Sequence, residues 1–263
     1  MATTPRGTTD MTRKQQVVAL LKSIETGERG PLAIINPNKY IQHNLGAADG
    51  LAGLSALLKA LPPKSARVNT VRVFEDGDYV FAHTDYNFFG PKVGFDIFRF
   101  ENDLIVEHWD NLQETSGPNP SGHTMTDGPS DVQDPVKTEA SKILVRAFVD
   151  DVLVHGRLDT LASYFDGNHY VQHNPQIGDN LSGLTAALKA ISGKGTTKYD
   201  RIHKVLGEGN FVLVVSEGSF GGVATSFFDL FRVENEKIAE HWDTIEAIPD
   251  RSAWKNNNGK FGV

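Results

Sequence analysis

The sequence contains no cysteine, no long apolar run and no excess of basic residues. Without cysteine, disulfides, thiolate metal sites and a cysteine nucleophile are all excluded. No apolar run approaches the roughly 20 residues that a transmembrane helix needs, so we expect no membrane partner. The 33 acidic residues outnumber the 26 basic ones and give a formal net charge of −7, which argues against nonspecific binding to nucleic acid.

The composition is that of an ordinary globular protein, with 39% hydrophobic and 22% charged residues. The 263 residues are enough for two domains, each with its own core. The opening stretch MATTPRGTTDMTRKQQ has no apolar segment, so we expect no secretory signal in it. Together with the missing cysteines, this predicts a cytoplasmic protein.

Two long stretches of the chain occur twice. Residues 40–61 match residues 170–191 at 12 of 22 positions, and residues 95–110 match residues 228–243 at 11 of 16 positions. The offset changes only from 130 to 133, so the copies differ by a few loop residues. A period of this length predicts two whole domains in tandem and excludes a solenoid of short repeats.

The repeats define the predicted domain boundaries. The first domain covers residues 1–114 and the second covers residues 136–250. Residues 115–135 are rich in Gly, Pro, Ser and Asp, a composition that predicts a linker with little buried surface. Residues 251–263 form a polar C-terminal tail.

Each repeat shows helical periodicity first and strand patterns afterwards. Apolar residues at helical spacing precede Gly27 and Gly156, and in the second copy they include Ile143 and Phe148. A short helical piece, a brief strand at YIQHN or YVQHN and a leucine-rich helix follow. The remaining residues alternate as strands joined by turn signals. This order predicts α+β domains in which three helices pack on one face of an antiparallel sheet.

Three motifs carry a resemblance to a known family: Tyr-[Ile/Val]-Gln-His-Asn, Phe-Asp-x-Phe-Arg and Glu-His-Trp-Asp. Both repeats resemble the SnoaL-like polyketide cyclases of the nuclear-transport-factor-2-like superfamily. The resemblance implies cone-shaped domains that enclose a pocket between the helices and a bent sheet. Most relatives pair two such domains, so it also implies an intramolecular pseudo-dimer and leaves further oligomers open. Because the superfamily hosts many functions, the resemblance favours a fold more than a reaction.

Strand alternation places candidate catalytic residues in both copies of His-Trp-Asp. In LIVEHWD, the side chains of Val106, His108 and Asp110 share one face, and in the second copy His241 and Asp243 share one face. A carboxylate beside an imidazole in an apolar cup can move a proton to or from a carbon acid. The alternative is that the histidine only hydrogen-bonds a neighbouring strand.

Asp96 and Asp229 lie between phenylalanines on the preceding strand, where an ionised carboxylate is costly to bury. An Asp in this strand context resembles the aspartic acid of ketosteroid isomerase that stays protonated and helps to bind an oxyanion; that enzyme is the standard example of a carboxylic acid in this role. A strict two-residue turn at residues 102–103 pairs Asp96 with Trp109, opposite His108. A longer loop or a β-bulge would bring Asp96 together with His108 and Asp110, and we favour the bulge on the resemblance alone. The alternative is that Asp96 faces solvent or the contact between the repeats.

Four more residues are predicted to contact substrate. His43 and His173 alternate with apolar residues in YIQHN and YVQHN, which suggests an inward face; the alternative is that they pin the following loop. His83 and Asp85 occur only in the first copy, where the second copy has Val215 and Glu217. If they face the pocket, the first copy is the better catalyst.

Other chemistries lack their motifs. There is no glycine-rich dinucleotide fingerprint, phosphate loop or Gly-x-Ser-x-Gly elbow. His43, His83, His108 and Asp110 are metal-ligand types but lack a characteristic zinc spacing, so we predict neither metal nor cofactor.

The predicted function is therefore a cofactor-independent acid–base reaction on a small hydrophobic carbonyl compound. An aldol-type cyclisation or an isomerisation fits this chemistry, and a dehydratase or hydrolase is an alternative within the enzymes. A noncatalytic module that binds a small apolar ligand is the alternative from another class.

Overall fold

Helices and strands recur in the same order in each half of the chain. The structure is a computed structural model that describes residues 11–61, 65–194 and 197–262. Below, the first half means residues 11–114 and the second half residues 136–250. The connecting segment is residues 115–135, and the C-terminal segment is residues 251–262.

The first half begins with a helix whose limits follow from its sequence. The Thr12 side chain accepts a hydrogen bond from the Gln15 backbone N–H, and the Gln15 side chain accepts one from Thr12 in return. Gly27 ends the helix with a φ of 74°, a left-handed conformation that suits glycine. The elements of this half are α1 (Arg13–Thr26), a 3₁₀ helix (Gly30–Ile34), β1 (Ile41–Gln42), α2 (Gly50–Ala60), β2 (Arg67–Asp76), β3 (Tyr79–Asn87), β4 (Pro91–Glu101) and β5 (Leu104–Glu114).

The second half repeats this order with one change in its first helix. After α3 the chain continues as a π-helical turn, and Gly156 follows with a φ of 67°. Ile143, predicted to face the core, is 69% exposed, whereas Val145, Phe148 and Val149 are buried. The elements are α3 (Thr138–Phe148), the π-helical turn (Val149–Val154), a 3₁₀ helix (Leu161–Tyr164), β6 (Val171–Gln172), α4 (Asn180–Lys194), β7 (Thr197–Glu208), β8 (Phe211–Phe220), β9 (Val223–Glu234) and β10 (Lys237–Ala247).

Each half has one five-stranded sheet. The strand orders are β1-β5-β4-β3-β2 and β6-β10-β9-β8-β7. The long strands form an antiparallel meander, and the two-residue strands β1 and β6 pair in parallel with β5 and β10. The helices cover one face of each sheet, as predicted for an α+β fold.

The other faces of the two sheets pack against each other. One hydrophobic cluster joins Phe81, Phe95 and Trp109 of the first half to Phe211 and Trp242 of the second. Asn111 on β5 also donates hydrogen bonds across this contact, to the backbone oxygen and hydroxyl of Thr244 on β10. The two sheets therefore share a core, and a division into domains at residues 114 and 136 stays a prediction.

Most of the connecting segment is exposed, as its composition predicts, but two of its side chains are buried. Asn119 and Met125 are 5% and 3% exposed. The Asn119 side chain donates to the backbone oxygens of Gln172 and Ile177, and Trp242 Nε1 donates to the backbone oxygen of Asp127. Polar contacts therefore join the segment to the second half, although little of its surface is buried.

The C-terminal segment contacts the first half in a corresponding way. The Asn256 side chain donates to the backbone oxygens of Asn44 and Ala47, and Trp109 Nε1 donates to that of Phe261. The segment that follows each half thus packs on the other half. Within the described residues, no helix is both long enough and apolar enough to cross a membrane.

Candidate active site

A β-bulge in the last hairpin of the first half decides which side chains share a face. Val106 is the additional residue, because Ile105 pairs with Phe100 and Glu107 pairs with Arg99. The turn at residues 102–103 keeps its two residues, both with positive φ. The bulge shifts the alternation of side chains along β5. Ile105 and not Val106 therefore packs in the hydrophobic core under the helices, on the same side of the sheet as the cavity.

Beyond the bulge, Asp96 lies opposite Asp110 and Phe98 lies opposite His108. Asp96, His108 and Asp110 all line one cavity between the sheet and the helices. The predicted bulge and the predicted convergence of these three side chains are confirmed. Their catalytic role stays a prediction.

The second half has the same geometry. Ala239 is the additional residue in the β9–β10 hairpin, and Asp229 lies opposite Asp243. These two carboxylates and His241 line a second cavity. The hairpins of both copies therefore have the same irregularity at the same place.

The proton positions on His108 follow from its neighbours. Gln42 Oε1 accepts the backbone N–H of Asn44 at 2.8 Å, which identifies this atom as the amide oxygen. His108 Nδ1 lies 3.0 Å from the same oxygen and must donate to it. His108 Nε2 lies 3.1 Å from Asp96 Oδ1, so one proton is shared between that ring nitrogen and the carboxyl group.

Two further groups hold the carboxylates of the first cavity. The Tyr86 hydroxyl donates to Asp96 Oδ2 at 2.6 Å. The Asn44 side chain donates to Asp110 Oδ2 at 2.6 Å, and Asp110 Oδ1 has no hydrogen-bond partner. His108 is thus bonded to Asp96, whereas its predicted pairing with Asp110 is not a hydrogen bond.

The second cavity reproduces this network with equivalent partners. His241 lies between Gln172 Oε1 at 2.9 Å and Asp229 Oδ1 at 3.0 Å. Asn174 donates to Asp243 Oδ2 at 2.6 Å, and Asp243 Oδ1 again lacks a hydrogen-bond partner. The Tyr199 hydroxyl lies 3.3 Å from both oxygens of Asp229.

Burial changes the acidity of these carboxyl groups. Desolvation raises the pKa of Asp96, although hydrogen bonds from His108 and Tyr86 oppose the increase. Desolvation, with a smaller contribution from the charge of Asp229, raises the pKa of Asp243 to about 6. A carboxyl group with a pKa near neutrality can both take and return a proton.

The two cavities are mainly apolar and differ in size. Their volumes are about 250 Å³ in the first half and about 410 Å³ in the second. Both fall in or near the range of small-molecule sites. Apolar side chains that line them include Leu20, Leu54, Leu58, Phe88 and Phe98 in the first, and Phe148, Leu184, Leu188, Phe227 and Phe231 in the second.

The predicted inward orientation of His43 and His173 is wrong. Strand β1 pairs Gln42 with His108, so Gln42 and Asn44 line the cavity and His43 lies on the opposite face. There His43 stacks on Trp109 with ring centroids 4.7 Å apart. Its two nitrogens contact the Gly259 backbone oxygen and Glu107.

His173 has an equivalent structural position in the second half. It stacks on Trp242, and its Nε2 lies 2.8 Å from Glu240 Oε1. Its Nδ1 contacts the backbone oxygen of Thr124 in the connecting segment. Both histidines therefore fasten the segments that cross between the halves.

His83 and Asp85 are also outside the cavity lining. His83 is fully buried between the sheets, stacked on Phe95, with Nδ1 at 3.1 Å from Arg72. Its burial lowers its pKa well below the ordinary value, and the charge of Arg72 adds to this effect. Asp85 is exposed. The prediction that the first copy is the better catalyst therefore loses its basis, because neither His83 nor Asp85 lines the cavity. Their neighbour Tyr86 lines it instead.

Sequence reasoning missed the amide and phenol groups of the site. These are Gln42, Asn44 and Tyr86 in the first half, and Gln172, Asn174 and Tyr199 in the second. The Gln and Asn were detectable, since Gln-His-Asn occurs in both copies. Their side was misassigned because alternation within a two-residue strand does not show which face is inward.

Three clusters among the described residues bring metal-ligand atoms within 4.8 Å of one another. In the two cavity clusters, hydrogen bonds to an amide oxygen and a carboxylate already satisfy the imidazole nitrogens. The prediction that no metal is needed stays a prediction. The clusters are Asp96, His108 and Asp110; Asp229, His241 and Asp243; and His123, Asp127 and His173.

The comparison with protein families agrees with the resemblance seen in the sequence. The family model of the SnoaL-like domain matches residues 145–241. This match covers most of the second half. The first half has the same strand order and the same site geometry, so the chain carries two copies of this architecture. No curated protein matches the chain significantly.

Several solved structures resemble parts of the chain. An LEH-like epoxide hydrolase from M. tuberculosis has 18% identity and a TM-score of 0.34, over 42% of this chain and 85% of that one. A protein of unknown function with a cystatin-like fold from Xanthomonas campestris has 20% identity and a TM-score of 0.36, over 43% and 97%. IdmH from Streptomyces antibioticus, provisionally assigned as a polyketide cyclase, has 15% identity and a TM-score of 0.34, over 40% and 91%.

Proposed function

We propose that this protein is a cofactor-independent acid–base enzyme that acts on a small hydrophobic carbonyl compound. The observation that carries the proposal is the pair of buried Asp–His–Asp clusters, each at the wall of an apolar cavity. Burying two carboxyl groups and an imidazole together is costly, and such costs are concentrated at functional sites. That the same cluster is built in both halves supports a function beyond stability.

The geometry divides the work between two kinds of group. Asp110, which lines the cavity and accepts a single hydrogen bond from the Asn44 side chain, is the base that removes a proton from the carbon next to the carbonyl. Asp96 and His108 share a proton that can be donated to the carbonyl oxygen as the enolate forms. The donor atoms of the three residues lie within 4.8 Å of one another, so one small substrate can contact both groups. Asp243, Asp229 and His241 have the corresponding roles in the second half.

Two reactions complete this chemistry without an oxidant or reductant. In an isomerisation, the carboxyl group that took the proton returns it to another carbon of the same molecule. In an aldol-type ring closure, the enolate carbon attacks a second carbonyl carbon, whose oxygen takes up the proton. The apolar lining favours substrates with few charged groups.

The proposal can be tested before the natural substrate is known. Small ketones are incubated with the protein in D₂O, and deuterium incorporation next to the carbonyl is followed by ¹H NMR. We expect the double variant Asp110→Asn/Asp243→Asn to lose about 100-fold or more of the exchange rate while it retains affinity for the ketone. Asp85→Asn, an exposed carboxylate outside the cavities, is the matched control.

A noncatalytic binding module predicts a different result. Ketones would then bind without exchange in the unmodified protein, and the variants would change only affinity. The measurement is repeated after treatment with a chelator, because the cavity clusters also contain metal-ligand types. Exchange that disappears with the chelator would contradict the cofactor-independent mechanism.

A further inference from the structure

In each cavity a tyrosine hydroxyl donates a hydrogen bond to the aspartate that contacts the histidine, Asp96 or Asp229. The two tyrosines lie on different strands. Tyr86 is on β3, the second strand of the first sheet, and contacts Asp96. Tyr199 is on β7, the first strand of the second sheet, and contacts Asp229. The two tyrosines therefore do not occupy equivalent positions.

The pairing of the strands shows how the positions are related. The hairpin turns align Asp76 and Tyr79 with Glu208 and Phe211, since both pairs close a two-residue turn. Counted from these turns along β3 and β8, Tyr86 corresponds to Gly218.

The strand partners complete the comparison. In the first half Tyr86 is paired with Val68, and in the second half Gly218 is paired with Tyr199. Each half thus has one tyrosine in this cross-strand pair, and the tyrosine has changed strand.

The second half cannot place a side chain where the first half has its tyrosine. A Cβ at Gly218 would lie 1.8 Å from the backbone oxygen of Lys198. The neighbouring strand β7 approaches more closely here because of an additional bulge between Tyr199 and Arg201. The phenol is supplied instead by the strand that closes this space.

Packing alone does not explain why tyrosines at two different strand positions donate to equivalent carboxylates in the two halves. Tyr86 is almost fully buried, whereas Tyr199 is half-buried and stacks on Phe227 with centroids 4.2 Å apart. Their surroundings differ, and the shared feature is the hydrogen bond to Asp96 or Asp229. A requirement at the carboxylate explains both placements.

We propose that Tyr86 and Tyr199 are positioning residues of the acid–base sites, each holding the carboxyl group of Asp96 or Asp229 in place beside the histidine. This inference rests on the proposed function, because it assigns the hydroxyl to the shared Asp–His proton. A hydroxyl that donates to the carboxylate stabilises its charged form. Loss of the hydroxyl shifts the shared proton towards the aspartate.

The test measures the ionisation of Asp96 directly and needs no substrate. Aspartate is labelled with ¹³C at the carboxyl carbon, and its NMR signals are followed across pH in the native protein and in Tyr86→Phe. We expect the titration midpoint of Asp96 to rise by about one pH unit in Tyr86→Phe, since a stabilising donor to the charged form is lost. Tyr164→Phe, which removes a hydroxyl bonded to Asp151 outside the cavities, should leave the Asp96 midpoint unchanged.

A relocated tyrosine separates positioning from packing. Val68→Tyr/Tyr86→Gly gives the first half the arrangement of the second, and Val68→Phe/Tyr86→Gly has the same ring without the hydroxyl. We expect the first double variant to restore the native Asp96 midpoint and the second to keep the raised one. Equal midpoints in the two double variants, or an unchanged midpoint in Tyr86→Phe, would overturn the proposal.

The single variant decides the question if the double variants do not fold, because Tyr86→Phe leaves the ring in place. The result is independent of the exchange assay for the proposed function. A raised midpoint without ketone exchange would support the positioning role and contradict the enzyme. Exchange with an unaltered midpoint would support the enzyme and contradict this role.

Discussion

The two halves surround their cavities with the same polar groups, but the charges behind these groups differ. In the first half, Lys260 of the C-terminal segment lies 3.9 Å from Asp110 Oδ1 and 2.5 Å from Glu246 Oε2. Its side chain is only 5% exposed. A buried cation therefore lies beside the unpartnered oxygen of the first cavity.

Neutral residues lie at the corresponding places beside the second cavity. Gln113 accepts the backbone N–H of Ile245, just as Glu246 accepts that of Leu112. Thr126 corresponds to Lys260. Each comes directly before the residue, Asp127 or Phe261, whose backbone oxygen accepts a hydrogen bond from the tryptophan of the half that it contacts. Among the described residues, no lysine or arginine forms an ion pair with Asp243, and burial raises the pKa of this group to about 6.

The comparison shows that two sites with the same hydrogen-bond network can differ in the charges around them. The bulges, the amides and the histidines recur because both halves have the same strand register. The electrostatic difference has two sources. Lys260 and Thr126 lie in the segments outside the sheets, and Glu246 and Gln113 lie near the ends of β10 and β5. Cavity volumes of about 250 and 410 Å³ add a difference in the size of ligand.

The largest expected effect concerns the C-terminal segment. We expect deletion of residues 251–263 to lower the free energy of unfolding by about 3 kcal/mol or more, because it removes the buried Phe261 and several hydrogen bonds. Urea unfolding measures this loss. Hydrogen exchange should accelerate at residues 42–47 and not at residues 172–177.

The variants Asn256→Ala and Asn119→Ala form a matched pair for this prediction. Asn256 bonds the loop of the first half, and Asn119 bonds the loop of the second. Each should loosen only its own loop. Equal exchange rates in both loops would contradict the assignment of one segment to each site.

The next effect concerns the cation of the first site. We expect Lys260→Met to lower the free energy of unfolding by about 2 kcal/mol near pH 7, because it leaves Glu246 and Asp110 without a buried cation. Burial raises the pKa of Glu246 and Lys260 opposes this, so the variant should raise the pKa further. The loss of stability should therefore shrink as the pH falls through that pKa.

Unfolding of Lys260→Met across pH measures this effect, and Thr126→Val at the corresponding position is the control. We expect Thr126→Val to change the free energy of unfolding by less than about 0.5 kcal/mol. A pH-independent loss in Lys260→Met would show that packing and not charge is responsible.

The smallest effect concerns Asp243. Its folded pKa of about 6 lies above the ordinary value, so the ionised group costs stability above this pKa and the cost disappears in acid. We expect Asp243→Asn to stabilise the protein by about 1–2 kcal/mol near pH 7 and to have little effect near about pH 4. Asp110→Asn should lack this gain, because it removes a negative charge from beside Lys260. Identical pH profiles for the native protein and Asp243→Asn would contradict the prediction.

The sequence predicted features that depend on neighbouring residues better than features that depend on contacts between distant parts of the chain. The turn at residues 102–103 and the end of α1 at Gly27 are local, so residue type and periodicity predicted them. The bulge at Val106 was expected from the family resemblance, and alternation alone predicted the opposite face for Asp96. His43 and His83 were misplaced because their faces depend on pairing with other strands.

By itself, the sequence determined that the chain has two copies of one α+β architecture and that His108, Asp110 and their counterparts lie on matching strands. Hydrophobic periodicity and turn chemistry are properties of neighbouring residues, so the chain order contains them. Only the tertiary structure decided that Gln42, Asn44 and Tyr86 join the site, and that Lys260 lies beside Asp110. These contacts join residues far apart in the chain, and they exist because sheet pairing and the crossed segments bring those residues together.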